Sequence, residues 1–326
     1  MATSKINWIV ILQGWAILWV VIGHAPLLPV GDANPLYVNI LYKIAYSFHM
    51  PLFVFVSGYL FHLTRMERPM PYARMLADKL ARLGIPFIAF TLVAMVFKSL
   101  FSADMARPAT ISVREFANAI LFPGDGPLSE LWFVATLMWY FALRPLWQWT
   151  SNYPIVSACV LATLFCMPEL PAGNLLCYQN ALHYALFFYL GIMAHKERGF
   201  DSASVRNTLA IVAVIIGGLI IGFAFTRSFA LALPLCGIAC SILIARFADR
   251  YLPRIFFSFR DCSYQIYLMG IFAQIAVKML YKHGIITSYP LGFVLCILCG
   301  IYLPVAATMI VRRIGIKYLK LCIGLK

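Results

Sequence analysis

The chain has 326 residues, of which 63% are hydrophobic and only 12% are charged, and its formal net charge is +14 at pH 7. Soluble domains are about half apolar, so this composition excludes an ordinary soluble globular protein. Several apolar runs reach the length of about 18 residues that marks a transmembrane helix, which predicts an all-α, polytopic membrane protein. No soluble domain or repeat interrupts the pattern, so residues 1–326 are predicted to form one integral-membrane domain.

Ten membrane spans are predicted in chain order. The first is too long for the apolar core of a signal peptide, so we expect it to be retained. Between the third and fourth spans, the stretch 112–122 predicts an amphipathic helix that stops at Pro123 and Gly124. The ten predicted spans cover residues 6–28, 36–61, 83–101, 128–147, 153–168, 181–194, 208–225, 229–247, 263–281 and 290–311.

The basic residues are distributed unevenly over the predicted loops. Most of the 26 Lys and Arg residues fall in the even-numbered loops and at the two termini. Positive loops face the cytoplasm, so both termini and the loop 65–82 are predicted to be cytoplasmic, and His24 lies toward the far side. Because these charges are scattered over short loops, a nucleic-acid partner is not expected. The expected surroundings are the lipid bilayer.

The first span combines an amide with an imidazole on one face. Gln13 and His24 are eleven residues apart, which is close to three helical turns and about 16 Å along the axis. A titratable group in a membrane span is costly unless it is paired or meets water, so this face is predicted to line a cavity. His24 is therefore the first candidate for chemistry.

The second span carries a similar polar stripe. Tyr42, Tyr46 and His49 lie at positions i, i+4 and i+7, so they share a face, and Pro51 interrupts the hydrogen-bond ladder just beyond them. Ser57 and the following glycine form a small polar spot where another helix or a ligand can come close. A histidine that joins helices by hydrogen bonds is the alternative interpretation of His49.

The residues of these two spans resemble a known family. The segments INWIVILQGWAILWVVIGH (6–24) and FHMPLFVFVSGYLF (48–61) are similar to the first two spans of the membrane acyltransferase 3 family, in its fucose 4-O-acetylase-like branch. Weaker similarities lie at 79–86, 131–134 and 263–268. The chain departs from the family pattern in three places: the acidic position is Val10, the basic position is Gln13, and a frequent histidine is Gly270.

The resemblance implies a membrane O-acyltransferase that moves an acetyl group from cytoplasmic acetyl-CoA to a sugar hydroxyl of a surface glycan or its lipid-linked precursor. It also implies a multi-pass protein of the bacterial inner membrane. Acetyl-CoA is then a co-substrate, and no permanently bound cofactor or metal is expected. The oligomeric state is not indicated by the sequence.

The implied division of roles gives each candidate residue a task. His24 suits a general base because its pKa is ordinarily near 6.5, and His49 is its helper. The remaining candidates are Gln13, Ser57, Lys79 and Arg82 for the donor, and Glu130 and Trp132 for the acceptor. Topology alone is an alternative explanation for Lys79 and Arg82, and an aromatic belt is one for Trp132.

Three other functions fit the same composition. Ten spans with buried polar residues also suit an exporter of a polysaccharide or lipid-linked sugar. A relative that transfers succinyl keeps the fold and changes the acyl group. The changes at Val10 and Gln13 also allow an inactive relative.

Overall fold

The computed structural model describes residues 7–29, 33–68, 70–105, 108–168, 170, 173–197 and 229–325, with the side chains of 229 and 230 excepted. All regular structure in these ranges is helical, as predicted. Thirteen α-helices are described there: α1 Asn7–Gly23, α2 Leu36–Phe61, α3 Tyr72–Lys79, α4 Ile85–Leu100, α5 Val113–Leu121, α6 Trp132–Ala142, α7 Arg144–Thr150, α8 Pro154–Cys166, α9 Tyr178–Lys196, α10 Phe229–Tyr251, α11 Ser263–Lys282, α12 Tyr289–Ile314 and α13 Lys317–Cys322.

Membrane-length helices are present in the described ranges. Four helical runs are long and apolar enough to cross a bilayer: Leu36–Met66, Tyr72–Leu100, Leu231–Tyr251 and Tyr289–Ile314. Asn7–Gly23 and Pro154–Cys166 are shorter apolar helices. The predicted seventh span, 208–225, lies outside the described residues. The total of ten spans and the cytoplasmic termini stay predictions.

Local sequence explains where several helices begin and end. α2 has the predicted bounds to the residue. Ser112 caps α5, because its hydroxyl accepts a hydrogen bond from the Glu115 backbone N–H at 3.1 Å. The predicted loop 65–82 is largely helical, since π-helical turns extend α2 and join α3 to α4.

The predicted fourth span is interrupted. The structure has a 3₁₀ turn at Ser129–Leu131, then α6, a non-helical residue at Leu143, and finally α7. Pro145 follows this break and has no N–H to donate to the preceding turn, so α6 cannot continue through it. A single helix over 128–147 is therefore the wrong description of this segment.

The chain divides into two compact units. The first unit combines Met1–Leu60 with Gly191–Ile310, and the second combines Phe61–Leu190 with Val311–Lys326. That residues 1–326 act as one domain stays a prediction.

The first unit is organised around α1. Apolar side chains of α1 and of the segment directly after it pack against α11 and α12 in two buried clusters, one near Ile17 and Val21 and one near Ala25 and Leu27. Glycine also permits a close helix contact in this unit. A Cβ at Gly191 would lie 2.0 Å from the Phe55 carbonyl oxygen, so only glycine lets the end of α9 approach α2 this closely.

The second unit has an aromatic core. The Phe188 ring contacts Phe61, Tyr140, Phe141 and Trp147, with ring centroids between 4.6 and 6.3 Å apart. The buried polar tips of this cluster are satisfied: Tyr140 donates to the Ala181 carbonyl and the Trp147 indole donates to the Tyr140 carbonyl. This core holds α6 against α9.

Candidate functional site

His24 lies directly after the last residue of α1. Its backbone N–H still donates to the Val20 carbonyl at 3.1 Å, but the next N–H, that of Ala25, bonds only three residues back, to Ile22. Pro26 disfavours a helical conformation for the residue before it, which explains why α1 stops here. The helix therefore ends five residues before the predicted end of the first span, and His24 is the half-buried residue that follows it.

The glycine before His24 permits a close contact with α2. A Cβ at Gly23 would lie 3.2 Å from the Tyr46 ring and 3.4 Å from the Ala45 side chain. A larger residue would require the Tyr46 ring to shift by a few tenths of an ångström. The Gly-His pair therefore brings the histidine against the polar face of α2.

A row of rings follows that face of α2, as the i, i+4 and i+7 spacing predicted. The His24 ring contacts the Tyr46 ring at 5.9 Å between centroids, and Tyr46 contacts His49 at 4.9 Å. Tyr42 lies 4.2 Å from Tyr46 on the other side. The phenol of Tyr46 thus lies between the two predicted histidines.

His49 is engaged by its own helix. Its side chain is 2% exposed, and Nδ1 lies 2.6 Å from the Ala45 carbonyl oxygen. A carbonyl oxygen only accepts, so Nδ1 carries the proton and Nε2 of a neutral ring is left as an acceptor. This geometry fixes the ring and fits a supporting role.

Two residues of α11 that the sequence analysis did not select contact the end of α1. The Gln274 amide donates to the Val21 carbonyl at 2.8 Å, and the Lys278 ammonium donates to the His24 carbonyl at 2.8 Å. The last carbonyls of a helix lack intrahelical partners and carry partial negative charge, so a cation here is favourable. A signal was available: two polar residues at i and i+4 in an apolar span.

The other two predicted residues of the first unit are Gln13 and Ser57. Gln13 is half-buried on α1. The Ser57 hydroxyl donates to the Phe53 carbonyl of its own helix at 2.8 Å. A close approach of another helix was predicted near Ser57, and the structure has one: Gly191 of α9 lies against the α2 backbone at Phe55 and Tyr59.

The second unit contains a cluster of cationic side chains. Arg65 forms a salt bridge to Asp78 at 2.7 Å, and its other terminal nitrogen contacts the Met70 sulfur. Arg144 is 8% exposed and donates to the Met70 carbonyl at 2.8 Å. Met70 therefore joins two arginines that are far apart in sequence. We call Arg65, Lys79, Arg82 and Arg144 the cationic cluster.

Lys79 and Arg82 approach the same helix, α6. The Lys79 ammonium lies 3.9 Å from the centre of the Phe141 ring, near the end of α6, and the turn that contains Arg82 also packs on α6. The Nε atoms of Arg65, Arg82 and Arg144 are buried, and no described residue accepts a hydrogen bond from them. An unsatisfied buried donor costs about 1–3 kcal/mol, so this cluster favours an anion that supplies acceptors.

The two predicted acceptor residues lie at the start of α6. Glu130 belongs to the preceding 3₁₀ turn and is half-buried. The Trp132 ring stacks on Tyr184, with centroids 5.2 Å apart and an angle of 28° between the planes. From Trp132 to Phe141 the helix rises about 14 Å at 1.5 Å per residue, so the predicted donor cations and acceptor residues lie at opposite ends of α6.

The predicted site residues are thus divided between the two units. The first unit contains His24 and His49, joined through Tyr46, and also Gln13 and Ser57. The second unit contains the predicted cations at one end of α6 and the predicted acceptor residues at the other. Arg144 and Lys278 were not predicted as site residues, because the charge pattern places Arg144 in a cytoplasmic loop and Lys278 toward the outer side and so explains both by topology.

Comparison with protein-family models identifies the chain. The acyltransferase 3 model, described as an acyltransferase domain, matches residues 6–309, which is nearly the whole chain. No curated protein and no solved structure matches it. The matched range includes every candidate site residue described above. The chain belongs to the acyltransferase 3 family, and it is a membrane acyltransferase.

Proposed function

We propose that the protein transfers an acetyl group from acetyl-CoA to a hydroxyl of a sugar acceptor, with His24 as the general base. The acceptor oxygen attacks the thioester carbonyl while the His24 imidazole takes the hydroxyl proton. The tetrahedral intermediate then expels the CoA sulfur, which receives that proton from the imidazolium. A C–O bond forms, a C–S bond breaks, and the imidazole returns to its starting state.

One observation carries this assignment: His24 is held at three points. Gly23 sets its distance from α2, the Tyr46 ring contacts its ring, and the Lys278 ammonium binds its backbone carbonyl. A base contributes most when its position is fixed before the reaction. His49, whose Nδ1 proton is engaged by Ala45, supports Tyr46 in this proposal and does not transfer protons itself.

The cationic cluster is proposed to bind the phosphate groups of the donor. Lys79 and Arg82 were predicted for this role, and Arg65 and Arg144 extend the set. Phosphate oxygens accept paired hydrogen bonds from arginine, and the buried Nε–H groups of the cluster lack acceptors among the described residues. Asp78, which pairs with Arg65, carries one negative charge against the four positive charges of the cluster.

The remaining assignments stay proposals with less support. Gln13 and Ser57 are proposed to contact the pantetheine arm, and Ser57, which donates its proton to the Phe53 carbonyl, would do so as an acceptor. Glu130 and Trp132 are proposed to contact the acceptor. The proposed location is the bacterial inner membrane, with both termini in the cytoplasm and the start of α6 on the outer side.

The test uses purified protein in lipid nanodiscs, acetyl-CoA, and glycan fractions from the bacterial host. We expect CoA release that depends on the acceptor, together with O-acetyl signals on the glycan. An exporter would release no CoA, and a succinyl transferase would release CoA only from succinyl-CoA. Either result contradicts the proposed reaction.

The role of His24 is tested with two matched variants. His24→Ala should reduce acceptor-dependent CoA release by at least about a hundredfold, while His283→Ala, which removes an exposed histidine beyond α11, should keep the wild-type rate. Both proteins must first elute as folded particles of equal size. Full activity of His24→Ala would exclude His24 as the base.

A further inference from the structure

A cavity lies in the second unit, between the end of α8 and the beginning of α9. Its volume is about 420 Å³, which is within the range of about 300–1,000 Å³ that is typical of small-molecule sites. Leu164, Leu170 and Leu182 contribute part of its wall. None of the roles assigned above uses this cavity.

Three amide side chains line one part of the cavity and are fixed by hydrogen bonds. Gln179 both accepts from and donates to the Leu170 backbone, at 3.0 and 3.1 Å. Asn174 accepts from the Gln179 backbone N–H and donates to the Asn180 side-chain oxygen. With its oxygen occupied, Asn180 contributes an amide nitrogen with two donors that these bonds do not use.

Aromatic rings form another part of the wall. Tyr184 lines the cavity and stacks on Trp132, one of the residues predicted to contact the acceptor. His183 lines it as well and stacks on Phe165, with centroids 4.2 Å apart and an angle of 28°. The orientation of each ring is thus fixed by an aromatic residue that does not itself line the cavity. Rigid rings provide contact area at a low cost in conformational entropy.

The lining has no carboxylate, ammonium or guanidinium among its described residues. Such a wall does not offset the charge of a phosphate or carboxylate ligand, because buried charges need a partner. Amide groups next to flat rings suit an uncharged ligand that has several hydroxyl groups and an apolar face. A hexose ring has both properties.

We infer that this cavity binds an uncharged hexose unit of the acceptor, with Asn180 as the hydrogen-bond donor and Tyr184 as the stacking surface. The inference rests on the proposed function for the identity of the ligand as part of the acceptor. It extends that proposal to a sugar subsite built by Asn174, Gln179, Asn180, His183 and Tyr184.

Binding is measured by saturation-transfer NMR, with methyl glycosides of glucose, galactose and fucose as probes. The protein is held in nanodiscs without glycolipid, because sugar-based detergents would compete. We expect saturation transfer to the ring protons of at least one glycoside. Asn180→Asp should reduce it at least fivefold, since this change keeps the oxygen that accepts from Asn174 but removes both amide donors.

Two further variants complete the comparison. Tyr184→Leu should reduce the signal to a similar extent, while Asn118→Ala, at an exposed position of α5, should leave it unchanged. Absence of transfer to all three glycosides, or an unchanged signal in Asn180→Asp, would overturn the inference. Displacement of the glycosides by dodecanoate would also overturn it, by assigning the cavity to an acyl chain.

The two proposals fail separately in this design. Glycoside binding without CoA release would support the subsite and contradict acetyl transfer. CoA release without glycoside binding would support the transferase and contradict the subsite.

Discussion

The end of α1 places a histidine beside a row of aromatic side chains, whereas the cationic cluster consists of basic side chains. Around His24, aromatic rings and one ammonium fix a single imidazole, and the ammonium binds a backbone carbonyl. In the cluster, Arg65 forms a salt bridge to Asp78, and the buried Nε groups of Arg65, Arg82 and Arg144 lack acceptors among the described residues. The first arrangement positions one proton acceptor, whereas the second concentrates positive charge. Variants of the two regions should therefore change different kinetic constants.

The largest effect is expected for His24→Ala. Loss of a general base typically costs about 10²–10⁴-fold in rate, so kcat should fall by this factor while the KM for acetyl-CoA stays near the wild-type value. Steady-state CoA release over a range of acetyl-CoA concentrations gives both constants. A rise in KM with little change in kcat would assign His24 to donor binding and remove the contrast between the regions.

The next largest effect is expected for Arg144→Ala. A hydrogen bond to a charged group contributes about 1.5–3 kcal/mol, so the KM for acetyl-CoA should rise at least about tenfold with little change in kcat. Arg68→Ala is the matched control, because Arg68 is an exposed basic residue of the segment 65–82. This variant should leave the KM for acetyl-CoA unchanged. An unaltered KM for the Arg144 variant would argue against donor binding by the cluster.

A smaller effect is expected for Lys278→Met, which removes the cation from the His24 carbonyl. Because Lys278 acts through the backbone, we expect a decrease in kcat of about tenfold without a change in the KM for acetyl-CoA. Lys278→Arg keeps a donor and a charge, so it should recover part of kcat. If both variants have the wild-type kcat, the contact has no positioning role.

The smallest effect is expected for His49→Gln. Glutamine keeps a side-chain donor of similar reach, so kcat should stay within about threefold of the wild type if His49 only supports Tyr46. The thermal stability of the solubilised protein is measured in parallel to detect a packing defect. A loss of kcat as large as that of His24→Ala, at unchanged stability, would make His49 a catalytic residue.

Local patterns in the sequence predicted local structure well. The apolar run of α2, the short helix predicted over 112–122 and the shared face of Tyr42, Tyr46 and His49 all depend on neighbours within a few residues, and the structure has each of them. The interruption at Leu143 was missed because hydrophobicity outweighed the proline that follows it.

Contacts between distant segments were not predictable in the same way. Lys278 meets His24, and Arg144 meets the carbonyl of Met70, only after helices that are far apart in sequence have packed. The sequence marks such residues as polar groups in or beside apolar runs, but it does not name their partners. For the same reason the cavity between α8 and α9, which both helices line, was not predicted.

The contact between Gly191 and α2 has a consequence for biogenesis. The ribosome makes α2 long before α9, so the backbone of Phe55 and Tyr59 has no glycine against it while the intervening segments are inserted into the bilayer. α2 and α9 can pack together only late in synthesis. Their contact requires glycine at position 191, because there is no room for a methyl group. A substitution there would act during membrane assembly, before any acyl transfer takes place.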